Sequence, residues 1–176
     1  PLLSTGVIGA RLPMPKLLAG LTRIELSPDG GAAAAEAILT TDTAAKEAVV
    51  RRGGFTVGGM AKGAGMIAPR HATMFCFIQT DAALEQHTLD LLLGVCVKRS
   101  FDRISVDGQL STSDTVFAIA SGASGVTIEP ESADELAFGE ALDALLRQLA
   151  MLIVSDGEGA RRVGRIVVRG RVDAVE

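Results

Sequence analysis

Thr73 has the clearest potential for chemistry, because it follows the small residue Ala72 and opens an apolar run of strand length that ends at Thr80. A threonine that merely begins a buried strand is common. The alternative is self-processing, in which the Thr73 hydroxyl attacks the Ala72 carbonyl and hydrolysis of the resulting ester frees the Thr73 amine. An α-amine, with a pKa of about 7.7–8.0, can serve as the base for its own hydroxyl.

A second polar segment could complete such a reaction. Ser4, Thr5 and Gly6 form a short polar turn near the start of the sequence. Such a turn is either a simple loop or an oxyanion hole, in which a hydroxyl and a backbone N–H stabilise the charge of a tetrahedral intermediate.

Charged and polar residues elsewhere could hold a substrate. Lys62 is the one cation of a Gly-rich loop, and it is either a solvated charge or an anchor for a substrate carboxylate. The run 40–43, Thr-Thr-Asp-Thr, is either a helix end or the wall of a polar pocket. Glu158 lies in an Asp-Gly-Glu-Gly turn and could bind an ammonium group.

The composition excludes several functional classes. The chain has 176 residues, a net charge of −4, six Phe and neither Trp nor Tyr, which argues against a nucleic-acid binder. Two Cys and two His make a zinc site or a disulfide framework improbable, so we expect no metal. No apolar run has the length of a membrane span. A reducing, cytoplasmic location fits best.

Alternating helices and strands must position these residues. The pattern predicts an α/β or α+β protein with a layered sheet. The predicted helices are 15–20, 32–39, one capped by Asp81, and one opened by a capping box of Ser132 and Glu135. The predicted strands are 55–59, followed by a Gly-rich loop at 58–68, then 73–80, a hairpin-like pair at 103–106 and 115–120, and 165–172.

Two of these helices have a predicted apolar face. The helix after Asp81 is expected to use Leu84, Thr88, Leu91, Leu92 and Val95. The helix after Ser132 is expected to use Phe138, Ala141, Leu142, Leu145, Leu149 and Leu152, and to end at the turn 156–159.

Taken in order, the motifs resemble one family, the ornithine acetyltransferases of arginine biosynthesis, also called bifunctional glutamate N-acetyltransferases. The resemblance covers nearly the whole chain. It rests most on the block 58–69, Gly-Gly-Met-Ala-Lys-Gly-Ala-Gly-Met-Ile-Ala-Pro, followed by Ala72-Thr73-Met74. Weaker supporting motifs are 4–9, 40–43, 80–82, 105–108, 114–115 and 156–159.

The resemblance implies a precursor that cuts itself between Ala72 and Thr73. Segment 1–72 would belong to the α chain and segment 73–176 to the β chain of one N-terminal-nucleophile-like domain. Because family members extend further on both sides, residues 1–176 would form part of a longer family domain. Thr73 would be the nucleophile, with Thr5 and Gly6 as the oxyanion pair.

The implied reaction is a ping-pong transfer of acetyl from N-acetylornithine to Thr73 and then to glutamate, with release of ornithine. The resemblance assigns substrate contacts to Thr41, Lys62, Thr73 and Glu158. It implies no cofactor, although acetyl-CoA is a possible donor. It also implies an α2β2 heterotetramer, with neither nucleic acid nor membrane as partner.

Two alternatives stay open at the level of the sequence. A related N-terminal-nucleophile amidohydrolase or aminopeptidase would use water in place of glutamate as the acyl acceptor. A non-catalytic structural fragment would pair only with partner chains and would leave the Ala72–Thr73 bond uncut.

Overall fold

The computed structural model describes residues 3–7, 9–111 and 113–169. The helices are α1 (Met14–Leu21), α2 (Gly31–Ala37), α3 (Gln86–Arg99) and α4 (Ala133–Ser155), with a 3₁₀ turn at Phe101–Arg103. The strands are β1 (Lys46–Arg52), β2 (Phe55–Lys62), β3 (Ile67–Ala68), β4 (His71–Ala72), β5 (Phe75–Thr80) and β6 (Thr115–Ala120). Helices pack on a sheet, so the predicted α/β class is confirmed.

The main sheet has the strand order β1-β2-β5-β6. β1 and β2 form a hairpin whose turn is Gly53-Gly54, with φ of 60° and 82°. Both values lie in the left-handed region that two-residue hairpin turns require and glycine adopts readily. β5 runs antiparallel to β2 and brings Phe75 opposite Lys62. The segments on the two sides of Thr73 therefore share one sheet.

The core lies between this sheet and α4. The Ser132 hydroxyl accepts from the Glu135 backbone N–H at 3.1 Å, and the Glu135 carboxylate accepts from the Glu131 N–H at 2.6 Å. The predicted helix start is thus confirmed. The buried face of α4 consists of Phe138, Ala141, Leu142, Leu145, Leu146, Leu149, Ala150 and Ile153. Leu152, predicted on this face, is 39% exposed, and Ile153 takes its place.

The first part of the sheet differs from the prediction. β2 continues to Lys62, so the Gly-rich segment from Gly58 onward is strand before it becomes loop. Glycine is needed at Gly59 for packing, because a Cβ there would lie 3.0 Å from the Phe77 carbonyl oxygen and 3.3 Å from Leu145. The sequence does not predict β1, because four charged residues mask the alternation of apolar and polar positions: Lys46, Glu47, Arg51 and Arg52.

The sequence predicts that Asp81 caps the next helix, but this prediction is wrong. Its carboxylate accepts from the Thr56 backbone N–H at 2.6 Å and so fastens the end of β5 to β2. α3 begins five residues later, at Gln86, after Glu85. Its predicted face is also wrong in part, because Leu91 is 58% and Val95 45% exposed. The buried residues of α3 are Thr88, Leu89 and Cys96.

The two segments predicted as a hairpin do not pair with each other. β6 lies parallel to β5, with Thr115 opposite Phe75, and the segment 101–103 is a 3₁₀ turn. The predicted strand 165–172 is not formed over its described part, because residues 165–169 are irregular and exposed; its remainder lies outside the described residues. Within the described residues, no helix is long and apolar enough to cross a membrane.

Candidate active site

Thr73 lies at the junction between β4 and β5. Its backbone nitrogen donates to the Met66 carbonyl oxygen at 2.8 Å, which fixes the residue against the preceding turn. Its hydroxyl oxygen is buried and has no hydrogen-bond partner among the described residues. A buried hydroxyl without a partner is unfavourable for folding, so such a group requires an explanation. A nucleophile held ready for attack supplies one.

The segment that leads to Thr73 is strained. Met66 has φ of 54° and Arg70 φ of 71°, both in the left-handed region that side chains with a Cβ avoid. Residues held in such conformations are often found at functional sites, where the surrounding structure compensates for the strain. The strained segment includes β3 and β4, which pair so that Ile67 faces Ala72, directly before Thr73.

Asp107 holds the strained segment in place. Its carboxylate accepts from the backbone N–H groups of Met66 at 2.7 Å and Ile67 at 3.1 Å, and from Gln109 at 3.0 Å. Burial alone would raise the pKa of Asp107, but these N–H donors outweigh it and lower the pKa below its usual value. The Asp107 side chain therefore holds Met66, whose carbonyl oxygen accepts the hydrogen bond from the Thr73 N–H.

An open cleft of about 740 Å³ lies in front of Thr73. Thr5 and Gly6 line it, although 68 positions separate Thr5 from Thr73 in the sequence. The structure thus brings the predicted oxyanion pair and the predicted nucleophile into one cleft, while their roles stay predictions. The other lining residues include Ser4, Met66, Leu110, Ser111 and Ser113.

Lys62 is 1% exposed and contacts Thr5, a residue that lines this cleft. Its ammonium donates to the hydroxyls of Thr5 and Thr40, each at 3.3 Å, and lies 5.2 Å from the centre of the Phe75 ring. Within the described part of the chain, no carboxylate forms an ion pair with it. Burial lowers the pKa of Lys62, Asp42 partly offsets this shift, and Lys46 adds to it. The surroundings of Lys62 therefore favour an added anion.

In the Thr-Thr-Asp-Thr run, the threonine that contacts Lys62 is the neighbour of the one predicted to contact substrate. Thr40, not Thr41, brings its hydroxyl to the Lys62 ammonium. Thr41 is exposed, and its role as a substrate contact stays a prediction. The resemblance assigns the substrate contact to Thr41 rather than Thr40, although two identical neighbours offer little basis for a choice; both are exposed, and Thr40 is the one that contacts Lys62.

Glu158 follows the end of α4 and reaches the loop after Lys62. Its backbone N–H donates to the Ala64 carbonyl oxygen at 2.7 Å. Its carboxylate lies over Gly65, where a Cβ would be only 2.8 Å and 2.9 Å from the two carboxylate oxygens. Gly65 therefore leaves room for Glu158 beside Met66, which lines the cleft.

The sequence also missed a buried ionic cluster next to Lys62. Lys46 is 1% exposed, and its ammonium donates to Asp42 at 2.7 Å and to Asp156 at 2.5 Å. Thr43 donates to Asp156 through both its N–H, at 2.9 Å, and its hydroxyl. Burial would raise the pKa of Asp156, but the hydrogen bonds from Lys46 and Thr43 outweigh it and lower the pKa to about 2.

No metal-binding cluster was found in the described residues, where no three His, Cys, Asp or Glu side chains come together. Both cysteines are buried and free, and burial raises the pKa of Cys76 to about 12, which makes it a poor nucleophile at neutral pH. Among the described residues, Thr73 is therefore a better candidate nucleophile than either cysteine.

Together, the mixed sheet and the threonine-centred cleft define an α/β protein with a candidate acyl-transfer site. The ArgJ family model matches residues 2–176, and the chain belongs to this family. The chain is 48% identical to the Arginine biosynthesis bifunctional protein ArgJ of Streptomyces avermitilis, over 98% of this chain and 45% of that protein.

The chain is also similar to two further proteins. The Glutamate N-acetyltransferase of Methanocaldococcus jannaschii is 47% identical, over 95% of this chain and 43% of that protein. A crystal structure of Arginine biosynthesis bifunctional protein argJ from Bacillus halodurans aligns with a TM-score of 0.44 and 35% identity, over 49% of this chain and 41% of that one. The chain thus spans less than half the length of the curated relatives it matches.

Proposed function

We propose that this chain carries the nucleophile of a self-cleaving acetyltransferase, which moves acetyl from N-acetylornithine to glutamate in arginine biosynthesis. The observation that carries the proposal is the buried, unpartnered hydroxyl of Thr73, a residue that lines one cleft together with Thr5 and Gly6. Membership of the ArgJ family and a relative named Glutamate N-acetyltransferase support the choice of reaction.

The first step of the proposal is self-cleavage. The Thr73 hydroxyl oxygen attacks the Ala72 carbonyl carbon, the Thr73 nitrogen leaves with a proton as an amine, and an ester forms. Water then hydrolyses this ester, which gives a carboxylate on Ala72 and a Thr73 with a free amine and a free hydroxyl. Strain at Met66 and Arg70 supports a reactive bond at this place.

The second step is the transfer itself. The free amine accepts the proton of the Thr73 hydroxyl, and the oxygen attacks the acetyl carbonyl carbon of N-acetylornithine. Ornithine leaves as an amine that takes the proton from the Thr73 ammonium, and an acetyl ester remains on Thr73. The glutamate amine then attacks this ester, the bond between the acetyl carbon and the Thr73 oxygen breaks, and a proton from the glutamate amine returns to that oxygen, which gives N-acetylglutamate. Thr5 and Gly6 would stabilise both oxyanions, and the loss of one such donor typically costs about 2.7–4 kcal/mol.

Two charges would select the substrate. Lys62, whose ammonium contacts hydroxyls and forms no ion pair among the described residues, would bind a substrate carboxylate, with Thr40 or Thr41 beside it. Glu158 would bind the ornithine ammonium. Acetyl-CoA would be an alternative donor, and the α and β segments would assemble as an α2β2 heterotetramer.

The intact mass under denaturing conditions tests the first step. Cleavage between Ala72 and Thr73 gives fragments of 72 and 104 residues. Thr73→Ala is expected to remain uncut and to transfer no acetyl, whereas Thr73→Ser is expected to retain both activities. Ser111→Ala, which removes another hydroxyl from the same cleft, serves as the control and should cleave like the unmodified protein. An uncut Thr73→Ala protein with full transferase activity would refute the proposal.

A further inference from the structure

The buried ionic cluster of Asp42, Lys46 and Asp156 belongs to a closed ring of contacts that joins the two proposed substrate charges. On one side, Asp42 accepts from the backbone N–H of Gly63, the residue after Lys62, at 2.6 Å. Lys46 then connects Asp42 to Asp156, which lies 110 positions after Lys46 in the sequence. On the other side, Glu158 lies two residues after Asp156.

The ring closes through the loop that follows Lys62. The Glu158 N–H donates to the Ala64 carbonyl oxygen at 2.7 Å, and Ala64 follows Gly63 directly. Each connection is a hydrogen bond or a single turn of backbone, so a change at one side is transmitted to the other. Buried, fully paired polar groups are rigid and define one geometry.

Asp42 also holds Thr40, one of the two hydroxyl partners of Lys62. Its second carboxylate oxygen accepts from the Thr40 backbone N–H at 3.3 Å, and the Thr40 hydroxyl contacts the Lys62 ammonium. One carboxylate therefore holds both the backbone next to Lys62 and the residue that faces its ammonium. Asp42, Lys46 and Asp156 line no part of the cleft, and neither do Lys62 and Glu158. The cluster is connected to the cleft through Thr5, which accepts from Lys62, and through Met66, which follows Gly65 beside the Glu158 carboxylate.

We infer that Asp42, Lys46 and Asp156 are positioning residues, which fix the distance between Lys62 and Glu158 and thereby select a ligand with a carboxylate and an ammonium at matching separation. This inference rests on the proposed function for the identity of the ligand. It adds that specificity for ornithine over an analogue of the same length without the side-chain ammonium depends on Asp42, Lys46 and Asp156 as well as on Lys62 and Glu158.

Ornithine and norvaline are a suitable pair of probes, because they share the carbon chain and the α-carboxylate but only ornithine has a side-chain ammonium. Neither donates acetyl, so calorimetry measures their binding without turnover. The unmodified chain is expected to bind ornithine more tightly than norvaline. Asp156→Asn retains an acceptor for Thr43 but removes the charge that attracts Lys46, and it should reduce the preference for ornithine about tenfold.

Glu140→Gln is the matched control. Glu140 lies in α4, whose end is followed directly by Asp156, and it forms a half-exposed ion pair with Arg52. Neutralising this carboxylate should leave the preference for ornithine unchanged. Asp42→Asn provides a second test from the opposite side of the cluster and should act in the same direction. An Asp156→Asn protein that binds both probes more weakly by the same factor would overturn the inference, since the cluster would then only support the fold.

Self-cleavage measured on the same samples separates this inference from the proposed function. A chain that prefers ornithine and loses the preference in Asp156→Asn, but never cuts at Ala72–Thr73, would refute the threonine chemistry and retain the positioning role. A chain that cuts normally but shows no preference for ornithine would refute the positioning role alone.

Discussion

The two buried lysines of the sheet differ sharply in their surroundings. Lys46 and Lys62 are each 1% exposed and lie at the same end of neighbouring strands, because Lys46 pairs with Ala61. Lys46 has two carboxylate partners, at 2.7 Å and 2.5 Å. Lys62 has two hydroxyl partners at 3.3 Å and an aromatic ring.

This difference separates a framework residue from a binding residue. A buried charge is tolerated when it is paired, and Lys46 joins the start of β1 to the end of α4 in this way. A buried ammonium that meets only neutral groups is unfavourable for the free protein. Stability is commonly given up in this manner where a ligand later supplies the missing partner. On this reasoning, we propose that Lys46 contributes to stability and Lys62 to ligand binding.

The largest expected effect distinguishes the two lysines by stability. Lys46→Met leaves the Asp42 and Asp156 carboxylates close together without their cation. Removal of one partner from a buried ion pair typically costs about 3–5 kcal/mol, and we expect a loss of that size. Urea unfolding followed by circular dichroism measures it, since the chain has neither Trp nor Tyr.

The control for this substitution is Lys16→Met, which changes an exposed lysine in α1 and should alter the free energy of unfolding by less than about 0.5 kcal/mol. If Lys46→Met were as stable as Lys16→Met, the cluster around Lys46 would contribute nothing to the fold, and the contrast between the two lysines would be lost.

The second prediction concerns Lys62→Met. This substitution removes a buried charge that has no carboxylate partner among the described residues, so the free energy of unfolding should stay the same or increase slightly. Ornithine binding should weaken about 10- to 100-fold, because a hydrogen bond to a charged group contributes about 1.5–3 kcal/mol. Calorimetry and urea unfolding of one preparation measure both quantities. A variant that loses stability but still binds ornithine normally would make Lys62 a framework residue like Lys46.

Local patterns predicted those parts of the molecule that local interactions determine. The capping box at Ser132 predicts where α4 begins. The apolar residues of α4 recur with the helical period and predict most of its buried face. The apolar run before Thr80 predicts β5 in the same way. Both predictions depend on residues close together in the chain, and the structure confirms them.

Long-range pairing was beyond the sequence patterns. The segment at Thr115 suggested a hairpin with its predecessor, but its partner is β5, about 40 residues away. Lys46 and Asp156 are individually typical of solvated surface charges, and only the fold brings them together. The Gly53-Gly54 turn did contain a usable signal for the β1–β2 hairpin, since two adjacent glycines between strands favour such a turn.

The smallest expected effect is the pH dependence that Asp156, an ion-pair partner of Lys46, gives to the free energy of unfolding. The pKa of Asp156 is about 2 in the folded chain, compared with an ordinary value of 3.8. A carboxyl group whose pKa is lowered by folding stabilises the fold above its unfolded pKa, and this contribution is lost as the pH falls toward the folded pKa. Between pH 4 and pH 2 we therefore expect Asp156 to account for a loss of about 1–2 kcal/mol.

Asp42 and Asp107 also have lowered pKa values, so acid will destabilise the chain by more than the Asp156 contribution. The difference between the unmodified chain and Asp156→Asn isolates that contribution, when the free energy of unfolding is measured from pH 5 to pH 2. The variant should show the shallower loss. Lys62→Met should follow the unmodified chain, because this substitution leaves the hydrogen bonds of Asp156 to Lys46 and Thr43 in place. Parallel curves for Asp156→Asn and the unmodified chain would mean that Lys46 is held by Asp42 alone.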